Sequence, residues 1–201
     1  MKAYSFISIL ALALSAPLAS QTTHSPASVQ AGSYRTDPNH TLVQFDVNHF
    51  GFSQFFGVFP AATGTLTLDP KSLGNTKLDI SVPVARVSTT NATLDEELRS
   101  ADWFDAAKYP DIRFVSSKVT RTGANTAKIA GTITMHGVSR PLILDATFGG
   151  AGTNPLSKAY TVGFKATGRL NRTPFGVSKY APLVSDDVTL TIAAAFEKIA
   201  G

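Results

Sequence analysis

Apolar and polar positions alternate along most of this chain. Val43, Phe45, Val47 and His49 fall on one face of a stretch whose other face carries Gln44, Asp46 and Asn48, the two-residue period of a half-buried strand. Gly64, Leu66 and Leu68 alternate in the same way with Thr63, Thr65 and Thr67, and Leu78, Ile80, Val82 and Val84 with Asp79, Ser81, Pro83 and Ala85. Pro83 has no donor for a ladder, so this strand is expected at an edge or beside a bulge. From Ile112 the pattern returns and persists. Ile112 and Phe114 open a strand running to Thr122; Ile129 to Met135, Leu142 to Phe148, Tyr160 to Leu170 and Val188 to Phe196 mark the rest. Turn clusters at Asp37-Pro38-Asn39, Asp69-Pro70, Gly123-Ala124-Asn125 and His136-Gly137 separate them. Roughly eight strands on mostly hairpin-length loops predict an all-β fold, an up-and-down antiparallel barrel. A two-sheet sandwich is the alternative architecture.

Two stretches break the alternation. Between Thr41 and Pro60 lie Phe45, Phe50, Phe52, Phe55, Phe56 and Phe59, six of the 13 phenylalanines. From Phe50 their spacing is uneven and interrupted by Gly51 and Gly57, so no single strand face buries them all; they either cap a core or line a cavity. The second break is helical. Thr93-Leu94-Asp95-Glu96 has the form of a capping box with Thr93 as N-cap, and Leu94 and Leu98 make one apolar stripe. Asp102-Trp103-Phe104-Asp105 is expected to add a second helical turn, closed before Pro110. One or two short helices are therefore predicted near 91–107.

At 201 residues with 43% hydrophobic and 16% charged positions, the chain has enough apolar material for one folded domain. Its formal charge of +4 comes from scattered Lys and Arg, which gives nucleic-acid binding no support. With no cysteine, disulfides, thiolate catalysis and Cys-based zinc sites are excluded. Lys2, the apolar run Ala3 to Leu14 and small residues from Ser15 to Ser20 have the pattern of a secretory signal peptide over 1–20, placing the mature protein in the periplasm or outside the cell. Residues 21–33, rich in Thr, Ser, Ala and Gln, are expected to be a disordered leader, with the barrel domain spanning 34–201.

Catalytic constellations are missing. His24, His40, His49 and His136 have no metal-site spacing, and His136 is expected to be exposed in its hairpin. His49, on a strand face with Val43, Phe45 and Val47, is either a core histidine or a ligand contact. No Gly-x-Ser-x-Gly elbow or phosphate-binding glycine loop occurs. The acids Asp95, Glu96, Glu97, Asp102 and Asp105 are explained by dipole complementation and solvation. No enzyme activity, cofactor or metal is expected. Arg172, beside Asn171 and Phe175, faces a phosphate or carbonyl head group or pairs with an acid.

From about Tyr34 to Lys198 the chain resembles the YceI-like family. The resemblance is carried by Asp37-Pro38, Val43-Gln44-Phe45 through His49-Phe50-Gly51-Phe52, Gly57-Val58-Phe59, Gly64, Asp95 through Leu98-Arg99-Ser100-Ala101-Asp102-Trp103-Phe104-Asp105, Tyr109-Pro110, Gly131 through Val138, Asn171-Arg172 and Phe175-Gly176. It implies an extended eight-stranded antiparallel, lipocalin-like barrel whose interior holds a long isoprenoid chain, a polyprenyl lipid or quinone tail, with a membrane cytochrome partner or a homodimer as further implications. The ligand would then contact Phe45, His49, Phe50, Phe52, Phe56, Phe59, Trp103, Phe104, Phe114, Met135, Phe164, Asn171, Arg172 and Phe175. An enzyme acting on such a lipid, with His49 as acid or base, is the alternative. This chain departs from the family pattern at Val87-Ser88-Thr89-Thr90, where an Asp is usual before the last Thr, at Glu97, where His is usual, and at Trp103, where Phe is usual.

Overall fold

The computed structural model describes residues 22–199; the expected signal peptide lies outside them. Ten strands follow one another: β1 (Gly32–Thr36), β2 (Leu42–His49), β3 (Ser53–Pro60), β4 (Thr63–Leu68), β5 (Lys77–Pro83), β6 (Asp111–Arg121), β7 (Thr126–Met135), β8 (Val138–Thr153), β9 (Tyr160–Asn171) and β10 (Asp187–Lys198). All pairings are antiparallel, in the order β1-β4-β5-β6-β7-β8-β9-β10-β2-β3, and β1 also pairs with β10. β1 and β2 lie along the same edge of β10, registering Thr36 with Phe196 and Leu42 with Ala193. They are two lengths of one stave, separated by the Pro38 turn. β3 and β4 are likewise one stave, broken after Pro60, which has no N–H, where Ala61 takes a φ of 61°. Counted as staves, the ten strands close into the expected eight-stranded barrel.

The phenylalanine-rich segment is more regular than its spacing implied. Phe50 and Gly51 have φ of 55° and 75°, the primed turn that suits the twist of a hairpin, and β3 then alternates. Phe55, Gly57 and Phe59 sit opposite Val47, Phe45 and Val43 on the inner face, while Phe56 points out. Gly57 interrupts the pattern because the Phe45 ring lies across it, and a methyl group there would overlap that ring. In the same way the Phe114 ring covers Gly131. Pro83 takes neither expected place: β5 lies between β4 and β6, with Pro83 as its last residue, opposite Asp111.

Among the described residues one α-helix forms, α1 (Ala92–Arg99), and its N-cap is Asn91 rather than Thr93. The Asn91 side-chain oxygen accepts from the backbone N–H groups of Thr93 and Leu94 at 3.1 and 3.3 Å. Residues 102–105 form hydrogen-bonded turns instead of a second helix, with the Phe104 and Ala106 N–H groups bonded back to Leu98 and Arg99. Asp95 ties α1 to the preceding segment by accepting from the Thr89 N–H (2.6 Å) and hydroxyl (2.7 Å). The run Val87 to Thr90 thus keeps a carboxylate partner from the helix.

The expected disordered leader is docked. Thr23 bridges Ala151, His24 Nδ1 lies 2.8 Å from the Gly149 carbonyl, and Val29 is buried beside Tyr34, Leu68 and Phe148. Its Thr- and Ser-rich composition hid two apolar anchors, Pro26 and Val29, that cover one end of the barrel. Strand β1 accordingly starts at Gly32. His136 is also less exposed than expected, half-buried against the Tyr109 ring with Nδ1 3.0 Å from the Phe175 carbonyl.

Candidate functional site: an apolar cavity along the barrel axis

Inward side chains of all eight staves leave the barrel hollow. A cavity of about 540 Å³ runs between the two groups of core residues. At one end it is bounded by His49, Phe50, Leu94, Leu98, Trp103, Phe104, Tyr180 and Val184; at the other by Pro26, Val29, Pro70, Leu73, Ala124 and Asn125. Ile129, Leu144, Ala146, Ala166, Leu190 and Ile192 form its waist. The small side chains of Ala146 and Ala166, direct partners across β8 and β9, keep that waist open. Apolar groups dominate the wall, so the space suits a hydrocarbon and offers water few partners.

Of the residues expected to meet a ligand, Phe45, His49, Phe50, Phe59, Trp103, Phe104, Phe114, Met135, Phe164 and Arg172 line this cavity. The remaining four do not. Phe52 and Phe56 lie on the outside, 90% and 53% exposed, because the hairpin turn and the outward parity of β3 carry them away from the axis. Asn171 binds Asp186 at 3.0 Å on the surface. Phe175 is buried in the wall beneath Arg140, outside the cavity. Sequence reasoning missed the aliphatic waist, although its inward positions were legible from alternation, and Tyr180, which sits in a loop without period.

Arg172 does not present its charge to a ligand. It is 4% exposed, and four of the five N–H donors of its guanidinium go to backbone carbonyls. Nε donates to Ser185 (2.9 Å), Nη1 to Val177 (2.7 Å) and Lys179 (3.0 Å), and Nη2 to Val184 (2.7 Å). Its central carbon stands 5.4 Å from the Trp103 ring centre. Burial pulls its pKa down, while Asp186 pulls the other way without an ion-pair contact. The expected head-group contact or acid pairing is replaced by a girder that shapes the loop over one end of the cavity.

Two departures from the family pattern meet there. Trp103 donates its indole N–H to Glu97 at 3.1 Å, so the added donor and the added acceptor satisfy each other. Lys179 joins Glu97 (3.3 Å) and Asp102 (3.0 Å), and Tyr180 stacks edge-on against Trp103. The Trp103 hydrogen bond, then Lys179, hold the Glu97 carboxyl below its usual range. A depressed carboxyl contributes stability above the unfolded-state value of about 4.3, lost as pH falls through the lower folded value. Trp103 is the one tryptophan, so its fluorescence is expected to change in an acid step below about pH 4, and Glu97→Gln is expected to remove that step. A titration unchanged by the substitution would place the transition elsewhere.

His49 lines the same end but lacks an orienting partner. Its ring packs edge-on to Phe50 at 4.3 Å and tilted on Phe55 at 6.0 Å, and no carboxylate lies within bonding distance among the described residues. General acid or base work requires such positioning. No group of three metal-ligating side chains occurs among the described residues either.

The sequence profile of the YceI-like domain matches residues 34–196. A UPF0312 protein of Pseudomonas savastanoi pv. phaseolicola is 35% identical over 160 residues, covering 80% of this chain and 81% of its own. The YCEI protein of Campylobacter jejuni superposes with a TM-score of 0.68 at 32% identity, covering 76% of this chain and 90% of its own. A structure described as a polyisoprenoid binding domain from Saccharophagus degradans superposes with a TM-score of 0.62 at 12% identity, covering 85% and 100%, a likeness of fold. The profile match across the barrel and the identity over most of its length settle the affiliation: this chain belongs to the YceI-like family.

Proposed function

We propose that the protein is an exported carrier that holds a long-chain isoprenoid lipid, a polyprenyl lipid or an isoprenoid quinone, inside its barrel. The observation that carries the reading is the apolar cavity of about 540 Å³ inside the barrel. Each buried methylene-sized unit of a guest gains about 0.8 kcal/mol, so affinity arises from the wall and needs few polar contacts. Branched, flexible isoprenoids suit a tube walled by aromatic and branched aliphatic side chains. The Saccharophagus degradans domain described as polyisoprenoid binding has the same fold, and export is supported by the pattern of residues 1–20. The packing of His49 against aromatic rings alone favours binding over turnover.

The volume sets a scale for the part of the guest held inside. At roughly 30 Å³ per heavy atom, the share of a liquid water molecule, the cavity holds on the order of 20 atoms, the size of a four-isoprene chain. Native mass spectrometry of protein purified from its own host is expected to show an apolar adduct of that class that disappears on denaturation. Repeated recovery of empty protein, or of an adduct without an isoprenoid skeleton, would remove the basis of this reading.

A further inference from the structure

The barrel's ends differ in charge. Antiparallel connection puts the ends of β4 and β6 and the starts of β5 and β7 at one rim, opposite the rim that bears α1. At that rim Lys71 lies in the β4–β5 loop, Lys77 opens β5, Lys118 sits near the end of β6 and Arg121 ends it. All four are exposed, and none has an ion-pair partner among the described residues. The register brings them together: Asp79 of β5 faces Val115 of β6, and the Leu78 N–H bonds the Ser116 hydroxyl, so Lys77 and Lys118 stand at neighbouring heights on adjoining strands. Leu78 and Val119 line the cavity, which turns the preceding residues, Lys77 and Lys118, outward. Nearby carboxylates are committed: Asp79 to Arg113, Asp145 to Lys128, and Asp69 to the backbone N–H of Lys71. The opposite rim mixes both signs: Asp95, Glu96, Glu97, Asp102, Asp105 and Asp111 stand among Arg86, Arg99, Lys108, Arg140 and Lys179, and Lys179 pairs with Glu97 and Asp102.

The basic corner also borders one end of the cavity. Pro70, Leu73 and Thr76, from the loop that carries Lys71, line it together with Arg121, Ala124 and Asn125. We propose that this corner, Lys71, Lys77, Lys118 and Arg121, is a docking surface for an anionic lipid bilayer, which sets the β4–β5 and β6–β7 loops of the cavity against the membrane. Clusters of four or more unpaired Lys and Arg bind anionic leaflets at about 1 kcal/mol for each residue near the surface, with strong screening by salt. A lipid surface fits better than another polyanion because the charges border the end of an apolar cavity. The inference concerns the surface and not the cargo, so it stands or falls apart from the identity of the guest.

Cosedimentation with vesicles of phosphatidylcholine, with and without about a third phosphatidylglycerol, tests it on the full mature protein. Binding is expected only to the anionic vesicles and to vanish in high salt. The triple variant Lys71→Gln, Lys77→Gln, Lys118→Gln is expected to weaken it on the order of 100-fold. Phe52→Ser, at the tip of the β2–β3 hairpin on the opposite rim, is expected to leave it unchanged. Equal binding to neutral vesicles, no binding, loss through Phe52→Ser instead of the triple variant, or duplex DNA held as tightly as the anionic vesicles would each overturn the proposal. Circular dichroism of the variants separates a lost surface from a lost fold.

Discussion

Replacing Ala146 and Ala166 together by phenylalanine is expected to abolish uptake of a prenyl chain, by 100-fold or more in affinity, while the barrel stays folded. The two alanines face each other across β8 and β9, are 7% and 8% exposed, and border the waist of the cavity. Each substitution adds six heavy atoms, so the pair places two phenyl rings in the middle of a cavity of about 540 Å³. Overpacking usually costs stability because inserted atoms collide with filled space. Here they enter a void, and the wall gains contacts it lacks in the empty state. The midpoint of thermal unfolding of delipidated protein should therefore hold or rise. Fluorescence competition with a C20 prenol measures the loss. Undiminished binding in a folded variant would show that the chain lies outside the barrel, and the carrier reading would fail with it.

The strands were readable because each buries one face, and a period of two survives any arrangement of partners. Leu78 to Val84 and Val188 to Phe196 announce themselves in this way, and the closed barrel follows from their number and short connections. What stayed hidden depends on tertiary partners. Phe55 and Phe59 point inward and Phe56 outward by the parity of β3, yet a glycine at position 57 masks the alternation, since the side chain filling that inward place belongs to Phe45 on the neighbouring strand. Asn91 caps α1 at a position where Thr93 and Glu96 offered an equally good local motif, and the choice between them lies in how Asp95 reaches Thr89. The docked leader has only Pro26 and Val29 as apolar anchors beside its backbone bridge at Thr23, too few apolar positions to create a periodic signal. Arg172 invited a head-group role because a lone arginine beside aromatics reads as an anion site; its four carbonyl partners lie five to thirteen residues downstream, in a loop whose path no local pattern encodes.

That girder makes the largest stability prediction. The carbonyls of Val177, Lys179, Val184 and Ser185 converge on one buried guanidinium, and Tyr180 and Val184 of the same loop bound the cavity. Arg172→Met keeps much of the side-chain volume but leaves these acceptors unpaired, and hydrogen bonds to charged groups contribute about 1.5–3 kcal/mol each. Water reaches part of the loop, so the net loss is expected at about 3–5 kcal/mol, less than the sum for four stranded carbonyls at about 1–3 kcal/mol each. For a domain of this length that lowers the unfolding midpoint by roughly 10 °C. Arg172→Lys should recover less than half, because a single ammonium cannot span four acceptors arranged for a planar fork. A girder and a ligand contact then separate cleanly: in the girder case both variants lose heat stability with or without a bound prenol, and the loss is the same in each state. Variants that unfold like the parent when empty, and differ only once lipid is added, would instead assign the guanidinium to the guest.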